Sequence, residues 1–471
     1  MNTGICIHNA TVLTGFSTME NCAVYIKNNK IADVFSERRF LQKQFNPKVK
    51  IINANGAYVS PGFIDSHIHG IGGVGTDDYD AASILKMSEI LPTYGVTSFI
   101  PTLYSAKEKE LTQGIKAITK AMGHEKGANI LGIHLEGPFI SPERLGVQSP
   151  DSISNVDLKL MKRLWKVSKG KIINMTLAPE LKHTRELALF CIEQGIIMQA
   201  GHTNATYQNM LEGMQVRILH TTHLFNAMSR MHHRDPGAVG AVLIHPELSC
   251  EFIADGIHIE PNLIKLLVQY KPLDKLVVVT DSLKPTKQKA QKLYANNEEV
   301  YLDKCFYRKS DNVIAGSAMT MIDSIKNLVS WGLSVEQAVR MSSANPAHIL
   351  KIPNKGIIAP GYDADIVMFI HRPDKAAEEK EIEQGKVKKN VAEIILAKNR
   401  AGECNEFELL FRGEKSKFIN MPSDYINDIE IPPTKEERAK AKAKREEDYE
   451  DDYIPPEEPP MQEDDTADDY F

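Results

Sequence analysis

Residues 61–70 read Pro-Gly-Phe-Ile-Asp-Ser-His-Ile-His-Gly, an apolar strand pattern that runs into two histidines and a glycine. Side chains alternate faces along a strand, so His67 and His69 point the same way and can converge on one cation. Lone histidines are usually core or surface residues, but a His-x-His pair that ends a hydrophobic strand is more typical of a metal site. The stretch therefore predicts a buried strand with metal ligands at its carboxyl end.

The chain repeats this arrangement from residue 58 to residue 352. Apolar strand-like runs alternate with amphipathic helical stretches, and polar side chains follow where the runs end. The further runs cover residues 97–101, 129–135, 173–178, 196–201, 220–223, 250–254 and 276–280. About eight such βα units close into a barrel, whose chemistry lies at the carboxyl ends of its strands. The predicted fold class is α/β, with a (β/α)8 TIM-like barrel over residues 58–352.

Shorter alternating segments flank the barrel. Residues 5–12, 21–27, 30–35 and 50–53 predict strands, and Asn28-Asn29 predicts a hairpin turn. The pattern of β-strands returns at residues 356–367. Residues 1–57 and 353–369 are therefore predicted to form one small β-sandwich domain.

Composition limits the possible functions. The chain has 471 residues, of which 42% are hydrophobic and 25% charged, and no apolar run approaches the ~20 residues of a membrane span. Its start lacks a signal-peptide pattern, and its six cysteines are scattered without Cys-x-x-Cys, which predicts reduced thiols and a cytoplasmic protein with no membrane contact.

The net charge of −6 averages two different regions. Thirteen acidic residues and no basic residue lie between Glu446 and Asp469, so the rest of the chain carries −6 + 13 = +7. A modestly basic body suits a small anionic substrate, but the charge is too diffuse to indicate nucleic-acid binding.

Further candidate ligands follow later strand-like runs. They are Glu136 before Gly-Pro, His202 in Gly-His-Thr, His223 in Thr-Thr-His, and Asp281 after Val-Val-Val-Thr. Because unpaired carboxylates are rarely buried, Glu136 calls for a cationic partner. The ordered series of His-x-His, Glu, His, His and Asp predicts a centre for one or two divalent cations.

The motifs resemble those of the amidohydrolase superfamily, and in detail its N-acetylglucosamine-6-phosphate deacetylases. The resemblance covers residues 1–368 through PGFIDSHIHG, HLEGPFISP, GHTNATY, HLFNAM, RDPG, ADGIHI, TDS and AGSAMTM. It implies a barrel with a small β-sandwich, usually paired as a homodimer. It also implies hydrolysis of the acetamide of N-acetyl-D-glucosamine 6-phosphate, a step of amino sugar catabolism that yields D-glucosamine 6-phosphate and acetate.

The resemblance also implies roles for the candidate ligands. Glu136, His202 and His223 would hold the principal metal ion, for which zinc or iron is expected. His67 and His69 would complete a second site, with Glu136 as the bridge. Asp281 would act as general base on the attacking water and then as acid toward the departing amine.

Substrate contacts are implied in the same way. Arg234 would reach the sugar phosphate across the dimer interface, with His258 as its partner. The other implied binding residues are Val147, Gln148, Asn226, Ala227, Ala315, Gly316 and Ser317. Gln148 stands where many family members have a histidine that contacts the sugar.

The C-terminal part is of a different kind. Residues 370–425 resemble the end of a replicative hexameric DNA helicase motor, and residues 426–471 predict a charged, largely disordered tail. No phosphate loop of the Gly-x-x-x-x-Gly-Lys-Ser/Thr type occurs, so neither ATP-driven unwinding nor nucleic-acid binding is expected. Residues 391–397 and 406–412 predict a hairpin within this appendage.

Two alternative functions remain open at this point. Another metal-dependent amidohydrolase, such as a cyclic amidase or a deaminase, would share the metal ligands but lack the phosphate-directed Arg234 and His258. A non-catalytic helicase-associated interaction protein would use the barrel as a scaffold.

Overall fold

The chain begins with strands of a small sheet. These are β1 (Ile5–Leu13), β2 (Thr18–Lys27), β3 (Lys30–Ser36), β4 (Lys50–Asn53) and β5 (Tyr58–Pro61), with helix α1 (Glu37–Gln42) after β3. The computed structural model describes residues 4–364, 367–371, 391–396, 406–412 and 417–420. In the β2–β3 hairpin, Asn28 and Asn29 have φ of 54° and 60°, as a two-residue primed turn requires. The predicted turn is therefore confirmed.

The next group of strands builds the barrel. They are β6 (Phe63–Ile68), β7 (Gly70–Ile71), β8 (Val74–Gly75), β9 (Val96–Leu103), β10 (Asn129–Ile130), β11 (Ile133–Glu136), β12 (Ile172–Leu177), β13 (Ile197–Ala200), β14 (His220–Thr221), β15 (Ser249–Ile253) and β16 (Leu276–Val279). Eight of them pair in parallel in the order β6, β9, β11, β12, β13, β14, β15, β16. The predicted eight-stranded parallel barrel is confirmed.

The first and last barrel strands are joined by hydrogen bonds. The Thr280 hydroxyl donates to Asp65 Oδ2 at 2.6 Å, and the Asp281 amide donates to the His67 carbonyl at 2.9 Å. Ile68 and Ser282 also form a parallel bridge. Asp65 is fully buried, and this burial raises the pKa of its carboxyl to about 7. The barrel is thus closed at the edge that holds the His-x-His motif.

Helices cover the outside of the barrel. They are α2 (Ala81–Ile90), α3 (Glu108–Ala121), α4 (Leu158–Val167), α5 (Thr184–Gln194), α6 (Tyr207–Gln215), α7 (Gly237–Ile244), α8 (Pro261–Tyr270), α9 (Met321–Ser330), α10 (Val335–Ser342) and α11 (Ala344–Ile349). In α3 the buried residues Leu111, Ile115 and Ile118 recur at the spacing of one helical face. Burying each of these side chains contributes about 1.5–3 kcal/mol, so the apolar stripe fixes the helix on the barrel. Among the described residues, no helix combines the length and apolarity needed to cross a bilayer.

A separate antiparallel sheet is inserted between β16 and α9. Its strands are β17 (Leu293–Ala295), β18 (Glu298–Asp303), β19 (Cys305–Arg308) and β20 (Ile314–Gly316). Because β20 ends close to the carboxyl end of β16, it brings Ala315 and Gly316 to the barrel mouth.

Four C-terminal strands extend the small sheet. They are β21 (Val367–His371), β22 (Val391–Leu396), β23 (Glu406–Arg412) and β24 (Lys417–Asn420). β21 pairs antiparallel with β5, and the other three follow in order, which gives a mixed sheet of nine strands. The predicted hairpin of residues 391–397 and 406–412 is present as β22 and β23. This hairpin is part of the small sheet. Strand β5 also belongs to the small sheet, although the domain boundary predicted at residue 58 assigned it to the barrel. The tail predicted at 426–471 lies outside the described residues.

Candidate active site and metal centre

The candidate ligands meet at the carboxyl ends of the barrel strands. His67 lies in β6 with His69 just after it, Glu136 ends β11, and the remaining members follow β13, β14 and β16: His202, His223 and Asp281. All of these side chains are buried. Their donor atoms form two groups, each within 4.8 Å: His67, His69 and Asp281, and Glu136, His202 and His223. The fold therefore brings together the series predicted from sequence.

The second of these groups has the donor arrangement of a metal site. The Nε2 atoms of His202 and His223 lie 3.1 Å apart, and 3.2 and 3.1 Å from Glu136 Oε1. His202 Nδ1 is 3.1 Å from the Arg144 carbonyl oxygen. Because a carbonyl only accepts, the proton of neutral His202 lies on Nδ1, which leaves a lone pair on Nε2. This lone pair points at the place where a cation would bind both imidazoles and the carboxylate.

The first group carries an unpartnered buried atom. His67 Nε2 has no hydrogen-bond partner among the described residues, although it lies 3.4 Å from Glu136 Oε1 and 3.5 Å from Asp281 Oδ1. His69 Nε2 lies 3.4 Å from the same Asp281 oxygen, and its Nδ1 donates to the Thr102 carbonyl at 3.0 Å. A buried polar atom without a partner is destabilising. A divalent cation between these nitrogens and carboxylates would satisfy His67, so the residues fit the metal that their pattern predicts.

Glu136 lies between the two groups. Its Oε1 faces His202 and His223, and its Oε2 is 3.4 Å from His69 Nε2. Burial alone would raise the pKa of Glu136, but the surrounding imidazoles of His67, His202 and His223 hold it well below its usual value. An ionised carboxylate in this place can serve both groups.

Gln148 supports Glu136 from the other side. Its Nε2 donates to Glu136 Oε2 at 2.7 Å, and its Oε1 accepts from the Ser105 amide at 3.0 Å. Both ends of this side chain are therefore engaged within the protein. Gln148 lines the cavity, and its hydrogen bonds orient the Glu136 carboxylate. Its sugar contact stays a prediction.

The backbone at the strand ends is strained. His202, His223 and Asp281 have φ of 46°, 27° and 47°, a region that non-glycine residues adopt at an energetic cost. Gly201 precedes His202. A Cβ atom added to Gly201 would lie only 2.7 Å from Thr176 Cγ2 and from Thr222 Cβ, so only glycine fits there. These turns send the ligands toward the barrel axis as soon as each strand ends.

A cavity of about 420 Å³ opens above the two groups. The predicted residues that line it are His69, Glu136, Val147, Gln148, His202, His223, Asn226, Ala227, His258, Asp281, Ala315 and Gly316. Residues that sequence reasoning missed also line it: Tyr104, Gly146, Arg230, Val313 and Ile314. Arg230 is the one lysine or arginine among the lining residues, and it is exposed without a hydrogen-bond or ion-pair partner among the described residues. In the sequence, only its position in the loop after Asn226 indicated that Arg230 could lie at this cavity.

Two predicted binding residues lie away from the cavity. Ser317 is 0% exposed, its hydroxyl donates to the Thr280 carbonyl at 2.5 Å, and it is not among the residues that line this cavity. Arg234 is exposed, and its Nη1 lies 2.8 Å from His233 Nε2. It does not line the cavity of its own chain.

His258 is fixed by a neighbouring carboxylate. Its Nδ1 donates to Asp255 Oδ2 at 2.6 Å, and both side chains are almost fully buried. Burial would raise the pKa of Asp255, but the hydrogen bond from His258 lowers it below its ordinary value. The ring of His258 is thereby held in place at the cavity wall.

The barrel with paired histidine and carboxylate ligands defines a metal-binding hydrolase, and the family model described as "Amidohydrolase family" matches residues 58–400. The chain belongs to the amidohydrolase family. It is 31% identical over 379 residues to the N-acetylglucosamine-6-phosphate deacetylase of Lysinibacillus sphaericus, covering 79% of this chain and 96% of that relative. It is 33% identical over 375 residues to the deacetylase of the same name from Bacillus subtilis, covering 78% and 93%. The crystal structure of N-acetylglucosamine-6-phosphate deacetylase from Pasteurella multocida aligns with a TM-score of 0.72 and 28% identity, over 78% of this chain and 96% of that one.

Proposed function

We propose that this chain is an N-acetylglucosamine-6-phosphate deacetylase of amino sugar catabolism. The reaction splits the acetamide C–N bond with water and gives D-glucosamine 6-phosphate and acetate. The observation that carries the proposal is the pair of ligand groups joined by Glu136 at the floor of a cavity whose wall holds Arg230 and His258. The deacetylase relatives, matched over more than nine-tenths of their length, support the same substrate.

The proposed cofactor is one or two divalent cations per chain. Glu136, His202 and His223 would hold the first, and His67 and His69 would hold the second with Glu136 between them. Imidazole and carboxylate donors suit zinc or iron. When bound, such a cation activates water for attack and polarises the amide carbonyl.

Asp281 is the proposed general base and acid. Burial would raise the pKa of Asp281, but the neighbouring imidazoles of His67 and His69 lower it, so its carboxylate is ionised and able to accept a proton. It takes a proton from the attacking water and returns it to the amide nitrogen as the C–N bond breaks. An amine is a poor leaving group unless it is protonated, so one carboxylate serves both steps.

The cavity wall provides the proposed substrate contacts. Asn226, Ala227, His258 and Arg230 line the cavity and are proposed to contact the phosphate. Val147, Ala315 and Gly316 are proposed to line the sugar. A guanidinium suits a phosphate because its parallel N–H groups can donate to two oxygens at once.

We also propose a homodimer in which Arg234 reaches the phosphate held by the partner subunit. The exposure of Arg234, its absence from its own cavity and the exposure of Met231 at 61% support this arrangement.

A cytoplasmic location is proposed as well. The five described cysteines are all unpaired and buried, which suits a reducing compartment.

For the C-terminal part, the helicase-like resemblance of residues 370–425 stays a prediction. The amidohydrolase match reaches residue 400, beyond the point at which that resemblance starts. The proposed function gives these residues no ATP-driven role and no nucleic-acid partner.

Acetate release from N-acetylglucosamine 6-phosphate tests the proposal. The same assay runs in parallel with unphosphorylated N-acetylglucosamine, with dihydrouracil as a cyclic amide, and with protein stripped by a chelator. We expect turnover of the phosphorylated sugar, its loss on chelation and its return with zinc or ferrous ion. Faster turnover of the cyclic amide would favour the cyclic-amidase alternative. No turnover combined with binding of single-stranded DNA would favour the helicase-associated alternative.

A further inference from the structure

Glu251 is a buried carboxylate that the proposed reaction does not use. It lies in β15 inside the barrel and is 0% exposed. Within the described residues, no ion pair joins it to a lysine or an arginine. A carboxylate is rarely buried without a compensating positive charge, since its desolvation is costly. Its place in the barrel therefore needs an explanation.

The contacts of Glu251 lead to the metal centre. Its Oε1 accepts from the Ser66 hydroxyl at 3.1 Å and from Gln199 Nε2 at 3.0 Å, and His220 Nε2 lies 3.7 Å away. Its Oε2 lies 3.2 Å from His67 Nδ1. The ionised carboxylate can only accept, so the proton of a neutral, metal-binding His67 lies on Nδ1. The unpartnered His67 Nε2 then presents its lone pair to Asp281 and Glu136.

His67 differs in this respect from two other ligand histidines. His69 and His202 donate from Nδ1 to backbone carbonyls, those of Thr102 and Arg144. A carboxylate partner fixes the ring in the same way and also adds a negative charge, which makes the imidazole a stronger ligand. Together with Glu136 and Asp281, Glu251 brings a third buried carboxylate to the centre.

We propose that Glu251 is a positioning residue that fixes His67 and thereby sets how tightly the second cation is held. This inference rests on the two-cation arrangement of the proposed function, but it does not depend on the identity of the substrate. A carboxylate held by Ser66 and Gln199 cannot follow His67 if the ring rotates. It thus selects one orientation of the ligand before a metal ion arrives.

The test is a metal titration of Glu251→Gln in the full-length chain. Glutamine keeps the shape and an accepting oxygen but removes the charge. Apoprotein is titrated with Zn²⁺ against a chelating indicator, and with Co²⁺ while its visible absorption is followed. We expect two equivalents for the unchanged protein. In the variant, the second equivalent is expected to bind about 10–100-fold more weakly, with an altered Co²⁺ spectrum and an unchanged first equivalent.

Two further variants calibrate this result. His67→Ala removes the ligand itself and should abolish the second equivalent. Ser66→Ala removes one hydrogen bond to Glu251 but none to His67, so it should change the affinity much less than Glu251→Gln. If Glu251→Gln does not fold, as judged by circular dichroism, Glu251→Asp replaces it. Aspartate keeps the charge but draws it away from His67, so weaker binding of the second equivalent is again expected.

Three outcomes overturn the inference. In the first, Glu251→Gln binds the second equivalent of metal as tightly as the unchanged protein does. In the second, the variant loses both equivalents together. The third is uptake of a single equivalent by the unchanged protein, which removes the second site while leaving deacetylation by one cation possible. Failure to release acetate, by contrast, would refute the proposed function without changing the titration.

Discussion

The barrel mouth and the small sheet both place non-glycine residues at positive φ, but they use different residue types. In the described chain up to β5 these residues are all asparagines: Asn9, Asn21, Asn28, Asn29 and Asn55. Asparagine adopts this region more readily than most residues. At the barrel mouth they are His202, His223, Phe225, Ala227 and Asp281. Strain is therefore avoided in the small sheet and accepted around the metal centre, where it orients ligands.

This difference implies that the barrel mouth determines activity and the small sheet determines stability. The small sheet buries an apolar cluster that includes Ile7, Val12, Val24 and Val59, and none of its described residues lines the cavity. Changes at the mouth should therefore alter metal binding or rate, whereas changes in the sheet should alter unfolding.

Glu136→Gln should have the largest effect. It removes the charge that lies between both ligand groups, so metal content and acetate release should fall together to background. Elemental analysis of the purified variant and a turnover assay measure both quantities. Glu186→Gln, at an exposed position of α5, is the matched control and should change neither. A Glu136→Gln protein that kept two metal ions would exclude Glu136 as a metal ligand.

Asp281→Asn should lower kcat by roughly 10²–10⁴-fold, the range for loss of a general acid–base group. Its metal content should change much less than in Glu136→Gln, because the Glu136, His202 and His223 group stays complete. Single-turnover kinetics and elemental analysis on the same sample distinguish the two effects. Near-normal turnover would exclude Asp281 from proton transfer.

Arg230→Ala and Arg234→Ala should each raise KM for the phosphorylated sugar by roughly 10–100-fold, which corresponds to one charge-assisted hydrogen bond of about 1.5–3 kcal/mol. Turnover of the unphosphorylated sugar should be unaffected, since that substrate has no phosphate to bind. An equal loss on both sugars would contradict a phosphate contact.

The two arginines can be separated by co-expression. Arg230 lines the cavity of its own chain, whereas Arg234 does not. A mixed dimer of Arg234→Ala and Asp281→Asn chains should regain a normal KM, because the Asp281→Asn subunit supplies Arg234 to an intact centre. The mixed dimer of Arg230→Ala and Asp281→Asn should not regain it. Restoration in both cases, or a monomer in size-exclusion chromatography, would refute the trans assignment.

Truncation of the C-terminal strands should have the smallest effect on catalysis. Ending the chain after His371 removes β22, β23 and β24 and exposes the edge of β21, so Tm should fall while kcat is unchanged. A loss of 1 kcal/mol corresponds to a drop of roughly 2–4 °C in a domain of moderate size. Ending the chain after Asn420 should leave Tm unchanged. Equal Tm values for both truncations would show that the added strands contribute nothing to stability.

Local patterns in the sequence were sufficient to predict the barrel and to find the candidate ligands that it groups. Each ligand follows an apolar run, and parallel strands bring all such positions to one end of the barrel. The partnership of Glu251 with His67 could not be predicted, because it joins positions 184 residues apart and depends on barrel closure. The hydrogen bond from the Ser317 hydroxyl to the Thr280 carbonyl could not be predicted for a similar reason, because it joins two strand ends that only the fold brings together.

The hydrogen bond between Thr280 and Asp65 joins residues 215 positions apart. Closing so long a loop is entropically costly and slow, and an unclosed barrel exposes β6 and β16 as free strand edges. The group of His67, His69 and Asp281 combines residues at the end of β6 with one that follows β16, so this group is complete only in the closed barrel. By mass action an ion bound to this group increases the native population. We therefore expect a divalent cation added during refolding to increase the yield of folded protein.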